Sequence, residues 1–249
     1  AVAALAAGAH RLPSSGLVLA FERIASGLAA TDGTGACSGG PGGEGLRAPA
    51  EALLGCLTPQ LGALGARVLA DALRVMAAAQ VQEQTFLDML LARLLVMLRQ
   101  ERSSFTPSAL AEFAGALGAL HEAGGASAKR GAAGASAAAN KRCLDTLNEQ
   151  IVASLDQFDE RDIARLGGHF ITGFLDDAQR RMVLQRAAEL GAGLVAAGDA
   201  GVDPLVAAAM QRVELVVRKH SFAFIASLPD QTKDYLMKLK LASDKAARA

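Results

Sequence analysis

The sequence predicts an all-α protein, an α-solenoid of stacked antiparallel helical hairpins. Three observations carry that expectation. One pattern is written twice, as FTPSALAEFAGAL from Phe105 to Leu117 and as FDERDIARLGGHF from Phe158 to Phe170. In both, apolar residues follow the leading aromatic at offsets of five, eight and twelve: Leu110, Phe113 and Leu117, then Ile163, Leu166 and Phe170. Gaps of three and four place all three on one helical face. The composition favours helix, because 51% of residues are apolar while aromatics are 4% and Trp is absent, so the weight falls on Ala and Leu. Finally, Phe105 and Phe158 lie 53 residues apart; leaving out a low-complexity insert of 16 gives 37, within the range of two-helix repeats. A repeat that cannot bury its own apolar face must stack on a neighbour.

Taken in order, the first helical unit runs from about Pro13 to Ala30, where Leu12, Leu17, Ala20 and Ile24 reproduce the offsets of the paired motif. Thr31 to Gly45 reads TDGTGACSGGPGGEG, a linker too rich in glycine to hold a helix. A second unit opens at Leu57-Thr58-Pro59, with Thr58 as N-cap and Pro59 at the first helical position. Its partner, about Glu83 to Arg102, carries Phe86, Leu87, Leu90, Leu91, Leu94, Leu95 and Leu98. That apolar surface is wider than one face, which calls for two neighbours.

The third unit starts at Phe105, where the aromatic sits as a hydrophobic staple ahead of the cap Thr106. Its first helix ends near Ala123, and Gly124 to Ala139 is a Gly/Ala/Ser insert expected as an unstructured surface loop. The partner helix, Lys141 to Leu155, aligns Leu144, Leu147, Ile151 and Leu155. The fourth unit pairs Asp159–Phe174, capped by Asp159, with Asp177–Leu190. Asp203-Pro204 opens a long helix to about His220; Pro229 breaks the chain and Asp230 caps a last helix to about Ala242. The predicted organisation is thus a helical unit over 1–30, a linker over 31–45, an array over 46–228 with an insert at about 124–139, and a capping helix and tail over 229–249.

Chemistry is sparse. His10, His121, His169 and His220 are scattered, with no H-E-x-x-H and no pairing with Cys37, Cys56 or Cys143 at ligand spacing. No G-x-S-x-G is present, and carboxylate pairs such as Asp159-Glu160 and Asp176-Asp177 stand where helices begin, as caps. The expectation is no catalytic residue, no metal, no cofactor and no small-molecule substrate. Three widely spaced cysteines form no disulfide framework and suit a reducing compartment. No stretch is long and apolar enough to span a membrane. The alanine-rich start, Ala1 to Ala9, has the composition of the tail of a transit region.

Lys+Arg and Asp+Glu number 25 each, so the net charge is zero and any nucleic-acid contact must come from a local patch. Candidate RNA-binding residues are Lys141 and Arg142 beside the insert, and Arg161, Arg165, Arg180 and Arg181 in the fourth unit. On a solenoid, basic residues at equivalent positions would form a phosphate track. Glu112 stands at the position equivalent to Arg165 and interrupts such a track. The plainer reading of these charges is a solvated outer face.

The signature F-x-P-x-x-L-A-x-F-x-x-A-L at Phe105–Leu117, with C-L-D-T-L-N-E-Q-I from Cys143 to Ile151, resembles organelle helical-repeat proteins. These are the heptatricopeptide/octotricopeptide-like repeats and the related repeat region of FAST-kinase/RAP-domain proteins. The resemblance extends over Phe105–Gly191 and loosely into earlier units, about two-thirds of the chain. It implies an α-solenoid acting in mitochondrial or plastid RNA metabolism, with rRNA or other organelle RNA and neighbouring proteins as partners. The C-terminus lacks the alternating strands of a RAP domain. Two readings follow: a non-enzymatic scaffold of an organelle ribonucleoprotein, such as the mitochondrial ribosome in the matrix, or a protein-only accessory subunit of a respiratory or ATP-synthase complex.

Overall fold

Where the chain is described in a computed structural model, it is α-helical and contains no strand. The described residues are 42–79, 81, 83–100, 105–124, 135–196, 210, 211, 213–215, 217, 218 and 222–246. The expected unit at Pro13–Ala30, most of the linker, the start at Asp203-Pro204, and His10, Cys37 and His220 lie outside them. The helices are α1 (Gly42–Leu57), α2 (Ala66–Ala78), α3 (Gln84–Gln100), α4 (Pro107–Gly124), α5 (Ala135–Ala153), α6 (Glu160–Gly173), α7 (Asp177–Ala196), α8 (Phe222–Ala226) and α9 (Asp230–Ala246). Short 3-10 turns at Thr58–Ala63 and Leu155–Gln157 join α1 to α2 and α5 to α6. The described residues between 210 and 218 are helical.

The chain divides into two compact units, Ala1–Phe105 with Ala119–Thr146 and Thr106–Gly118 with Leu147–Ala249. In the first, α1 packs on the 3-10 turn and on α2, and α2 packs on α3. Leu53, Leu54, Leu57, Leu69, Leu73, Met76 and Leu90 are fully buried there. Asp88 of α3 accepts from Asn140 of α5 at 2.7 Å and from Gln84 at 2.6 Å. In the second unit, α7 lies against both α6 and α9. Its core holds Phe113, Phe158, Ile163, Leu166, Phe170, Val183 and Leu184.

Several local expectations are met. The Thr106 hydroxyl accepts from the Ala109 N–H at 3.2 Å and caps α4. Asp159 caps α6 in a reciprocal box: its carboxylate accepts from the Asp162 N–H at 2.8 Å, and its own N–H donates to Asp162 at 3.4 Å. Phe158 and Ile163, the staple pair before and inside α6, are both buried. Asp176 and Gln179 make an equivalent box at the start of α7, at 2.8 and 3.2 Å.

Other local expectations are corrected. α1 begins at Gly42, so the end of the glycine-rich linker is helical. The three leucines that α1 buries outweigh a propensity deficit of about 1 kcal/mol per glycine. Thr58 does not cap a helix: its hydroxyl donates back to the Leu54 carbonyl at 2.9 Å, and residues 58–63 form a 3-10 turn before α2. Of the Gly/Ala/Ser insert, Gly124 closes α4 and 135–139 belong to α5, which four alanines readily extend, while 125–134 lie outside the described residues. Asp230 is the first residue of α9 rather than its cap, since the Pro229 carbonyl accepts from the Lys233 N–H. α6 is kinked at Gly167, whose φ of 71° and ψ of 153° are outside the helical region and suit only glycine.

The two copies of the motif meet at that kink. A Cβ on Gly115 would overlap the Arg165 carbonyl oxygen, and one on Gly118 would stand 2.7 Å from the Phe170 backbone nitrogen. Two missing side chains therefore let the backbones of α4 and α6 touch.

Candidate nucleic-acid interface

The six candidate cations fall in both units. Lys141 and Arg142 are exposed on the part of α5 that belongs to the first unit. Arg161, Arg165, Arg180 and Arg181 belong to the second. Arg161 and Arg165 are four residues apart on the segment of α6 before the kink, so they share a face. Arg161 is exposed. Arg165 is 45% exposed, donates to the Ser108 hydroxyl at 2.5 Å and lies 3.4 Å from Asp162. Two like charges at this spacing repel by a few tenths of a kcal/mol, and an anion over the pair would relieve that.

Arg180 is committed inward. Its side chain is only 14% exposed; Nε donates to the Ile171 carbonyl at 2.9 Å and Nη2 to the Thr172 carbonyl at 3.0 Å. Nη1 meets Asp177 at 2.9 Å, and the guanidinium lies 5.9 Å from the Phe224 ring centroid. These carbonyls end α6, where the helix dipole favours a cation. Arg181, its neighbour, is exposed and reaches the Ser227 hydroxyl at 3.4 Å. Only Arg161, Arg165 and Arg181 of the four thus present charge outward.

Arg186 plays a role like that of Arg180 and escapes a reading of the sequence alone. Nη2 donates to the Asp156 carbonyl at 3.0 Å and the Phe158 carbonyl at 3.4 Å, tying α7 to the turn before α6. Asn148 makes a third such tie, donating to the Phe174 carbonyl at 2.8 Å. A sequence signal exists for Arg180. A cation in the first turn of a helix opposes that helix's own dipole, so its charge is more useful to a neighbouring helix end.

Cys143 and Tyr235, two of the titratable groups with displaced pKa values, lie in packed surroundings. Burial pushes the Cys143 thiol up to about 12, against the opposing pull of Arg99. Burial, with the Glu160 charge adding, raises the Tyr235 phenol to about 12. Burial and the adjoining Asp159 raise Glu160 as well. Such a thiol is a poor nucleophile and a poor metal ligand at neutral pH. Among the described residues, no group of three or more His, Cys, Asp or Glu is placed to hold a metal ion, and no helix is long and apolar enough to cross a membrane.

No family model matches the chain, and no curated protein or solved structure is significantly similar to it.

Proposed function

We propose that the chain is a non-enzymatic α-solenoid scaffold within an organelle ribonucleoprotein, a mitochondrial ribosome protein that contacts rRNA and neighbouring proteins in the matrix. The observation that carries this is the order of contacts in the second unit. From Gly115 to Gly118 along α4, the touching residue on α6 moves from Arg165 to Phe170. From Arg181 to Gly191 along α7, the touching residue moves from Ser227, in the turn before α9, to Tyr235 within α9. Contacts that advance in the same sense mean parallel neighbours. α4 and α6 are the first helices of successive hairpins, α7 is the second helix of the later one, and α9 is the helix expected to cap the array. Like helices lying parallel in successive hairpins are the packing expected of a solenoid. The same arrangement on a plastid ribonucleoprotein would work alike.

The mechanism is geometric. Stacked hairpins hold a rigid surface, and Arg161, Arg165 and Arg181 offer charge to the phosphate backbone. The net charge of zero suits a protein lodged among others better than one that captures RNA alone. A second reading has its own support. Arg180 and Arg186 satisfy carbonyls of the fold, leaving few cations for RNA, as in a protein-only accessory subunit of a respiratory or ATP-synthase complex.

Sedimentation of an organelle lysate, with and without RNase, separates the two. Under the ribonucleoprotein reading the protein runs with a large particle that RNase dismantles. Migration with a membrane complex indifferent to RNase supports the accessory subunit. A light, unbound peak overturns both.

A further inference from the structure

Arg165 is held from two helices by a single nitrogen. Nη1 donates to the Ser108 hydroxyl oxygen at 2.5 Å and lies 3.4 Å from Oδ1 of Asp162. Both partners are themselves placed by the fold. Ser108 stands in the first turn of α4, and Asp162 is one half of the capping box of α6, where its Oδ2 accepts from the Asp159 N–H. The Asp162 side chain is 9% exposed, while that of Arg165 is 45% exposed. Among the described residues, neither Nε nor Nη2 of Arg165 has a hydrogen-bond partner.

We propose that Ser108 is a positioning residue for the RNA contact: with Asp162 it occupies Nη1 and leaves the Nε–Nη2 edge of Arg165 as a fork for one backbone phosphate. The inference rests on the ribonucleoprotein reading and names the chemistry of its contact. Those two N–H groups are parallel donors whose spacing matches two oxygens of a phosphate. An arginine loose in solvent gives up rotamer freedom when it binds, whereas one already held by Ser108 has given it up on folding. Arg161, exposed four residues earlier on the same face, adds a second charge beside the fork. Asp162 takes back part of the positive charge, so the site gives up affinity for a fixed geometry, and its binding is weak and salt-sensitive. The site draws on both copies of the motif, Ser108 from the first and Arg161, Asp162 and Arg165 from the second. It therefore lies where α4 meets α6, and neither copy alone would reveal it.

Fluorescence anisotropy of the full chain with a labelled RNA duplex at low salt tests it, with circular dichroism confirming that each variant stays helical. Arg165→Gln and Arg165→Lys should both weaken binding about tenfold, because lysine keeps the charge and lacks the fork. Ser108→Ala should weaken it about three- to tenfold, and Ser108→Thr, which keeps the hydroxyl, should restore most of that loss. In the Arg165→Gln background Ser108→Ala should cost nothing further, a result that a merely structural role for Ser108 would not give. No binding by the unsubstituted chain, or binding indifferent to Arg165→Gln, overturns the proposal together with the RNA contact beneath it. A loss on Arg165→Gln that Ser108→Ala does not share overturns the positioning role alone and leaves the RNA contact standing. So does a Ser108→Ala loss of equal size with and without Arg165.

Discussion

Arg180 and Arg181 are adjacent in sequence and opposite in use. Arg180 is folded over the end of α6, while Arg181 stays outside. Hydrogen bonds from a charged donor contribute about 1.5–3 kcal/mol, and losing one leaves buried carbonyls unmet. Arg180→Gln should therefore lower stability by about 2–3 kcal/mol in urea denaturation, whereas Arg181→Gln should change it by less than about 0.5 kcal/mol. Cys143 and Tyr235 give a prediction in pH. Both are held neutral in the fold, with pKa values raised to about 12 from 9.0 and 10.0. Their contribution is whole below the unfolded values and is lost as pH climbs towards 12, since the unfolded chain releases these protons first. Stability should fall through that window by up to about 1.4 kcal/mol per pH unit for each group. Cys143→Ala should flatten the fall from pH 9.0 upward and Tyr235→Phe only from pH 10.0 upward, as followed by denaturation at stepped pH. At this scale the caps Thr106 and Asp159 were readable, because their targets lie within three residues. The targets of Arg180 were not, because they lie across a turn on another helix.

Among the elements, glycine shows how one residue type serves different ends. Gly115 and Gly118 are gaps through which α4 meets the α6 backbone, whereas nothing stands within 4 Å of a Cβ at Gly55 in α1. Gly55→Ala should stabilise by about 0.5–1 kcal/mol, the helix-propensity gain. Gly115→Ala gains the same propensity and loses it to a clash with a backbone that cannot rotate away, for a net loss of about 1–3 kcal/mol. The two urea midpoints should move in opposite directions. Boundaries were legible where a cap and an apolar repeat coincide, as at α4, α6 and the start of α7, which runs on past the expected Leu190 to Ala196. They were misread at α1, where glycine is helical, and at Thr58, where a cap-like residue and proline start a 3-10 turn. The kink at Gly167 was invisible because Ile163, Leu166 and Phe170 keep helical spacing across it and all remain buried.

For the whole molecule, the proposed RNA contact rests on the three outward arginines. Reversing Arg161, Arg165 and Arg181 to Glu should leave helicity unchanged and shift the protein off the RNase-sensitive particle. Retention there sinks the RNA contact and leaves protein neighbours as the reading. Lys141 and Arg142, in the other unit, serve as a separate pair to reverse. If they matter equally, the RNA touches both units.

Apolar periodicity and capping chemistry were enough to establish helices and to pair the two motif copies, because both act over three or four residues along the chain. The choice of which glycines become contacts and which arginines turn inward depended on packing. Those outcomes join residues tens of positions apart, and each is settled by the backbone, carbonyl or side chain that arrives opposite. Periodicity along one helix carries no record of that arrival.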